Sequence, residues 1–227
     1  MILGIIPARL NSTRFPNKIL YQLNGKSIVE HVFDRSKKSS LLEDVIVAVD
    51  SEKTLENINC SNVIMTSGSH QSGTDRVAEV ANKFDCSIVV NIQGDEPGIE
   101  PQLIDSLISL FDDTNVEMAS IASTDLRGED LTNRNVVKVN LNEDNYALSF
   151  LRENLKEGQQ YYRHVGIYAY RKKTLDLFTS LDQSPNEKKY SLEQLRALDN
   201  NIAIKLLISD FKYRSIDTKE DLKNYEN

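Results

Sequence analysis

Three spaced cations, Arg9, Arg14 and Lys18, and two distant aspartates, Asp95 and Asp217, are the residues of this chain best suited to phosphate chemistry. The cations lie in Ile5-Ile6-Pro7-Ala8-Arg9-Leu10-Asn11-Ser12-Thr13-Arg14-Phe15-Pro16-Asn17-Lys18. Pro7 should break the opening strand, Ile2 to Ile6, because it cannot donate to a sheet ladder. Together with Pro16 it stiffens the segment by fixing φ. A stiff cationic loop at the carboxyl end of a first strand stands where open α/β sheets bind ligands. Asp95, in Gln93-Gly94-Asp95-Glu96-Pro97, follows a β-branched run, and Asp217, in Ser215-Ile216-Asp217-Thr218, follows a short strand. Carboxylates at strand ends can ligate Mg²⁺, whose hard charge prefers oxygen. The plainer readings are a polar surface loop, a turn aspartate bonding its own backbone, and a helix N-cap. Neither a Walker A loop nor a G-x-G-x-x-G follows the first strand, which sets aside P-loop enzymes and dinucleotide dehydrogenases.

Histidine is scarce, with 3 in the chain. His31 lies among core-facing residues and reads as structural. His70 opens His70-Gln71-Ser72-Gly73-Thr74-Asp75-Arg76, a polar turn feeding a helix N-terminus, which suits an anion or a polar ring. His164 follows Arg163 just before an apolar strand. No serine or cysteine with a paired base emerges, so nucleophilic catalysis has little support.

The 227 residues suffice for one large domain or two small ones. The net charge of −7 argues against a nucleic-acid surface. An anionic ligand would therefore need cations concentrated locally, as the opening loop concentrates them. No apolar run is long enough to span a bilayer, and Met1 leads directly into a strand with no leader pattern. Cys60 and Cys86 have no metal-ligand spacing and read as reduced thiols of a cytoplasmic protein.

The positioning elements follow from periodicity. Ser27 and Glu30 form an S-x-x-E capping box before a helix running to about Lys38, with Ile28, Val32 and Phe33 inward. Val45 to Val49 is a buried strand, followed by a short helical stretch and a small strand at Asn62 to Met65. A helix with Val77, Val80, Ala81 and Phe84 inward comes next, then a strand from Ser87 to Ile92. Pro101 starts another helix with Leu103, Ile104, Leu107, Ile108 and Phe111 on one face. This β-α alternation predicts a mostly parallel sheet flanked by helices. Beyond it, Val116 to Ser123, Val136 to Leu141, Tyr146 to Leu151 and Val165 to Tyr170 predict a smaller subdomain of mixed strands with short connections. Ser191 to Leu198 and Thr218 to Tyr225 are the last predicted helices, with a strand at Ala203 to Ile208 between them. Lys156 to Gln160 is the best candidate for a mobile loop.

Taken in order, the opening segment, His70 to Arg76, Asn91 to Pro97, Arg163-His164-Val165-Gly166-Ile167-Tyr168-Ala169-Tyr170, Leu192-Glu193-Gln194-Leu195-Arg196 and Ile216-Asp217-Thr218 resemble the motifs of the 3-deoxy-manno-octulosonate cytidylyltransferase family. The resemblance spans the chain. It implies a single Rossmann-like nucleotidyltransferase domain over residues 1–227, nucleotide-binding over about 1–112, sugar-binding and dimerising over about 113–227. The implied reaction joins CTP and the sugar acid Kdo into CMP-Kdo and pyrophosphate, for lipopolysaccharide or capsule, in a cytoplasmic homodimer. Ala8, Arg9, Ser12, Arg14, Lys18, Gln71, Ser72, Gly73 and Arg76 would hold the nucleotide. Asp95 and Asp217 would bind Mg²⁺ and, with Lys18, carry catalysis. Gln93, Arg152, His164, Tyr168, Glu193 and Gln194 would line the sugar pocket, with Arg152 or His164 as the cation for the carboxylate.

Departures from the family pattern fall mainly on the sugar side. Asn17 stands where relatives have Gly, Phe150-Leu151-Arg152 replaces Phe-Ser-Arg, and Ser215 replaces the Gly before the final aspartate. The connection from Glu153 to Tyr162 is shorter and lacks an Arg-Asp pair. Fewer polar groups over the sugar predict a more permissive site, open to another 3-deoxy ulosonic acid.

Overall fold

The computed structural model describes residues 1–10, 15–212, 215–216 and 218–225. The chain divides into two compact units, Met1–Asp105 with Arg214–Asn227, and Ser106–Tyr213. The C-terminal stretch thus belongs to the same compact unit as the first half of the chain.

In the first unit the elements are β1 (Ile2–Ala8), β2 (Gln22–Leu23), β3 (Lys26–Ser27), α1 (Ile28–Ser36), β4 (Asp44–Val49), α2 (Glu52–Glu56), β5 (Val63–Met65), α3 (Gly73–Ala81) and β6 (Ile88–Asn91). The helix α4 (Pro101–Ser109) follows. The sheet runs β6-β1-β4-β5 with every neighbour parallel, and β4 is buried from Val45 to Val49. Ser27 caps α1 with Glu30 in a reciprocal box, as its S-x-x-E spacing predicts. Pro7 corrects the expectation of a strand break: β1 continues through it to Ala8, in register with Ala48 and Val49. The reason is parity. Ile5 carbonyl accepts from Ile92 N–H at 2.9 Å, so odd-numbered residues of β1 bond toward β6, and that ladder stops at Ile5. The donor that Pro7 lacks would have pointed past the end of β6 and costs no ladder bond.

Both thiols are free. Cys86 is buried, and its Sγ donates to Ala81 carbonyl at 3.7 Å. Cys60 is half-buried, and burial together with the carboxylates of Glu30 and Asp34 pushes its thiol up to about 12. His31 is structural as expected, with Nε2 2.6 Å from Leu23 carbonyl.

The second unit contains β7 (Met118–Ser123), α5 (Gly128–Thr132), β8 (Lys138–Leu141), β9 (Ala147–Leu151), β10 (Tyr162–Arg171), α6 (Lys172–Ser180), α7 (Pro185–Tyr190), α8 (Leu195–Asp199) and β11 (Ile204–Ser209). β7 pairs antiparallel with β10 and parallel with β11, while β8 lies antiparallel between β10 and β9. The mixed pairing agrees with the sequence expectation. The helix α5 does not, since only a short connection was expected there, and α6 and α7 fill a stretch to which no element was assigned. α6 has no side-chain cap and buries only Thr174, Leu175 and Phe178, so its periodic signal is thin. The final predicted helix shortens to a 3-10 turn at Glu220–Asn224. Among the described residues no helix is long and apolar enough to cross a membrane.

Candidate active site

In the first unit the strand ends gather charge. Lys18 emerges from the opening segment through a 3-10 turn (Lys18–Leu20), is buried, and sets its Nζ 2.6 Å from Asp95 Oδ2. Asp95 also receives, at its carbonyl, the N–H of Ile216 at 3.1 Å. Ile216, the sequence neighbour of Asp217, packs in an apolar cluster with Phe15, Ile28 and Leu222. Phe15 anchors the far part of the opening segment on that cluster. Segments from three distant parts of the chain therefore meet at Asp95. Gly94 makes a close approach here: a Cβ on it would stand 3.0 Å from the carbonyl oxygen of Pro7, so a side chain would crowd the β1 backbone.

Asp50, at the end of β4, accepts from Leu10 N–H at 3.1 Å and from Arg76 Nη2 at 3.4 Å. Arg76 is 1% exposed and also donates to Thr66 Oγ1 and Ser67 carbonyl. The structure places it as an internal tie rather than on an open face: it steadies Asp50, which steadies the backbone just past Arg9. Burial pulls its guanidinium down, and Asp50 opposes that pull. Arg9 and Gln71 are exposed, and Ala8 is buried at the end of β1. Ser72 caps α3 with Asp75 in a second reciprocal box, and Gly73 starts the helix against the Pro7 ring. His70 is held by Glu79 at 2.6 Å. Ser12, Arg14 and Asp217 lie outside the described residues.

In the second unit, β10 and the segment before α8 bring aromatic and polar groups together. His164 is buried, edge-on to Phe150 with ring centres 4.9 Å apart and 5.5 Å from Tyr168. Its Nε2 lies 3.0 Å from Ser120 Oγ, whose hydroxyl faces the carbonyls of Val165 and Ile167 at 3.1 and 2.9 Å. Carbonyls only accept, so the serine proton goes to one of them and the imidazole donates from Nε2. The ring is thus the Nε2–H tautomer, with Nδ1 as its acceptor. Burial lowers its pKa to about 3. This corrects the expectation that His164 could supply a cation: it is neutral. Burial, helped by Tyr170 and Glu193, holds the Tyr168 hydroxyl well above its usual range, so it remains a donor. Arg152 Nη1 donates to Arg134 carbonyl at 2.9 Å and Nη2 approaches Ser191 carbonyl at 3.5 Å. Ser191 leads into Glu193, which is half-buried, and Gln194, which is buried. Gln93, in the first unit, is half-buried. The segment beyond Arg152 carries its own bonds, Tyr161 hydroxyl meeting Lys156 N–H at 2.9 Å and Gln159 Oε1 at 2.8 Å.

A family model described as cytidylyltransferase matches residues 3–206. The 3-deoxy-manno-octulosonate cytidylyltransferase of Chloroherpeton thalassium is 42% identical, with 96% of this chain and 93% of the relative covered. That of Thermodesulfovibrio yellowstonii is 39% identical over 96% and 94% of the two chains. The chain belongs to the 3-deoxy-manno-octulosonate cytidylyltransferase family. Among solved structures, CMP:2-keto-3-deoxy-manno-octonic acid synthetase complexed with CTP superposes with a TM-score of 0.91 at 32% identity, covering 99% of this chain and 96% of that one. As a member of this family the chain is a nucleotidyltransferase with the α/β fold expected from its strand pattern.

Against that family background, sequence reasoning missed Asp50, Ser120 and Lys138. Asp50 directly follows a buried strand, and that position was its available signal. Ser120 and Lys138 carry none, because an inward polar residue in a strand looks the same as an outward one. Among the described residues no group of three or more His, Cys, Asp or Glu side chains is arranged to hold a metal. A Mg²⁺ site on Asp95 fits the chemistry of the donor, a partly exposed carboxylate already holding a cation, Lys18.

Proposed function

We propose that this protein transfers CMP from CTP to the anomeric hydroxyl of 3-deoxy-manno-octulosonate, releasing pyrophosphate. The observation that supports the reading is the meeting of Lys18, Asp95 and Ile216, with the buried lysine on the Asp95 carboxylate and the Ile216 N–H on its carbonyl. The sugar hydroxyl attacks the α-phosphorus, the bond from that phosphorus to the bridging oxygen breaks, and pyrophosphate leaves. No covalent enzyme intermediate is needed. Arg9, Arg14 and Lys18 draw in the triphosphate and stabilise the charge that grows on the leaving group. Ala8, Ser12, Gln71, Ser72 and Gly73 complete the nucleotide contacts, and Arg76 keeps the loop backbone in place through Asp50. Asp95 and Asp217 would hold Mg²⁺, which when bound neutralises phosphate charge. Once CTP enters, Lys18 exchanges a carboxylate partner for a phosphate.

Arg152 supplies the cation for the sugar carboxylate. His164 serves through Nδ1 as a neutral acceptor, and Tyr168 as a donor. Gln93, Glu193 and Gln194 meet the sugar hydroxyls, whose number demands a dense set of amide and carboxylate partners. A pyrophosphate-release assay with CTP against a panel of ulosonic acids tests the reading. Turnover with Kdo is expected, and turnover with none of the panel would overturn it.

A further inference from the structure

Lys138 is a fully buried ammonium that touches no carboxylate among the described residues. Its Nζ donates to the carbonyls of Asn133, Val136 and Arg152 at 3.0, 2.9 and 2.5 Å. Three N–H groups meet three carbonyls, so the ammonium is saturated and has no donor left for a ligand. The acids nearest to it are engaged elsewhere: Asp130 with Arg163 at 2.6 Å, Glu153 with Arg134 at 3.1 Å. Burial and the neighbouring charge of Arg152 both push its pKa down. A bare buried charge is expensive, and one kept without a counter-ion calls for a reason beyond filling space.

The three carbonyls supply the reason. One belongs to Arg152 itself, where the chain leaves β9. The other two flank Arg134, whose carbonyl receives Arg152 Nη1 at 2.9 Å. Lys138, paired in β8 with Leu151 on one side and Arg163 on the other, thus grips the backbone from which Arg152 springs and the turn on which its guanidinium rests. A neutral side chain offers fewer donors and no charge behind the guanidinium. We propose that Lys138 is a positioning residue for Arg152 in recognising the carboxylate of the 2-keto sugar acid, which rests on the role given to Arg152 above. It presets the geometry of the arginine and adds a fixed positive charge that only an anionic ligand would sense.

Steady-state kinetics with each substrate varied in turn test this on Lys138→Met, Lys138→Gln, Arg152→Ala and the Lys138→Met/Arg152→Ala double variant. Lys138→Met should raise KM for the sugar acid about tenfold while KM for CTP stays within about twofold. Lys138→Gln keeps amide donors without charge and should fall between. The double variant should be no worse than Arg152→Ala alone, since both act on one contact. Equal rises in both KM values, or a loss confined to kcat, would overturn the proposal, as would failure of both Lys138 variants to fold by circular dichroism. If Arg152→Ala raises the sugar KM and neither Lys138 variant does, the inference about Lys138 fails alone. If Arg152→Ala leaves that KM unchanged, the assignment of Arg152 fails instead.

Discussion

Two groups of inner cations, one in each unit, are satisfied in opposite ways. In the first, Lys18 sits on Asp95 and Arg76 on Asp50, so each positive charge has a carboxylate close by. In the second, Lys138 meets three carbonyls, Arg152 donates to those of Arg134 and Ser191, and Arg171 to those of Val116, Phe111 and Asp113, whereas Arg196 and Arg163 of the same unit take the carboxylates of Glu187 and Asp130. A carboxylate cancels charge, whereas a carbonyl orients a cation without cancelling it. The first arrangement suits a multiply charged ligand that brings enough negative charge to take over a lysine already in use. The carbonyl-held group around Lys138 keeps positive potential for a ligand with a single carboxylate.

The largest effect should come from removing the carboxylates of the first unit. Asp95→Asn and Asp217→Asn should each abolish most turnover, on the order of several kcal/mol of transition-state stabilisation, read by pyrophosphate release across a Mg²⁺ titration. Near-normal turnover of Asp217→Asn at low Mg²⁺ would return that residue to a capping role. Lys18→Ala comes next, raising KM for CTP by about ten- to a hundredfold and hardly moving KM for the sugar acid. The reverse pattern would break the comparison between the units.

His164 sharpens it through acid stability. Its folded pKa, about 3, lies below the unfolded value near 6.5. The unfolded chain therefore binds a proton that the native chain refuses, and stability falls as pH drops from about 6.5 toward 3, by up to about 1.4 kcal/mol per pH unit. Above pH 6.5 the residue has no effect. Denaturant melts of His164→Gln should show a flatter slope across that window; an unchanged slope would mean that the imidazole is solvated. On the sugar side, preference for Kdo over analogues altered at the terminal carbons should be relaxed by about tenfold relative to members of the family with the longer segment, one or two lost hydrogen bonds' worth. Comparing kcat/KM for the two substrates measures it. The smallest effect belongs to Ser184→Ala, which removes the cap of α7 and should cost about 1 kcal/mol in a denaturant melt.

That cap shows how legibility divides. Ser27 and Glu30 announced α1 because a capping box is local chemistry at fixed spacing. Ser184-Pro185-Asn186-Glu187 carries the same signature plus a proline at the first helical position, yet α7 is absent from the expectations. The signal existed there, in a stretch to which no element was assigned. Lys138 is different in kind. Val136-Val137-Lys138-Val139 shows a cation in a strand, which ordinarily marks the wet face. Only the return of Arg152 and the 133–136 turn over its end makes that position interior. Arg76 is a similar case, a motif arginine that proved to be internal once Asp50 was seen beside it. The family motifs were legible as types and order; which residues touch ligand and which merely hold others in place depends on burial, which spacing alone does not carry.

The two cysteines have a practical side. With its thiol pushed up to about 12, Cys60 is nearly free of thiolate at neutral pH, and Cys86 is buried out of reach of reagents. A cysteine engineered at an exposed position, with its ordinary pKa, would react with maleimide on the order of a hundredfold faster than Cys60, after allowing for the higher nucleophilicity of a more basic thiolate. The chain also has 0 tryptophans, so a single introduced indole would be spectroscopically alone. The native sequence is in effect a silent background for a fluorophore pair, with which distances between chosen points can be followed during turnover without first removing either native thiol.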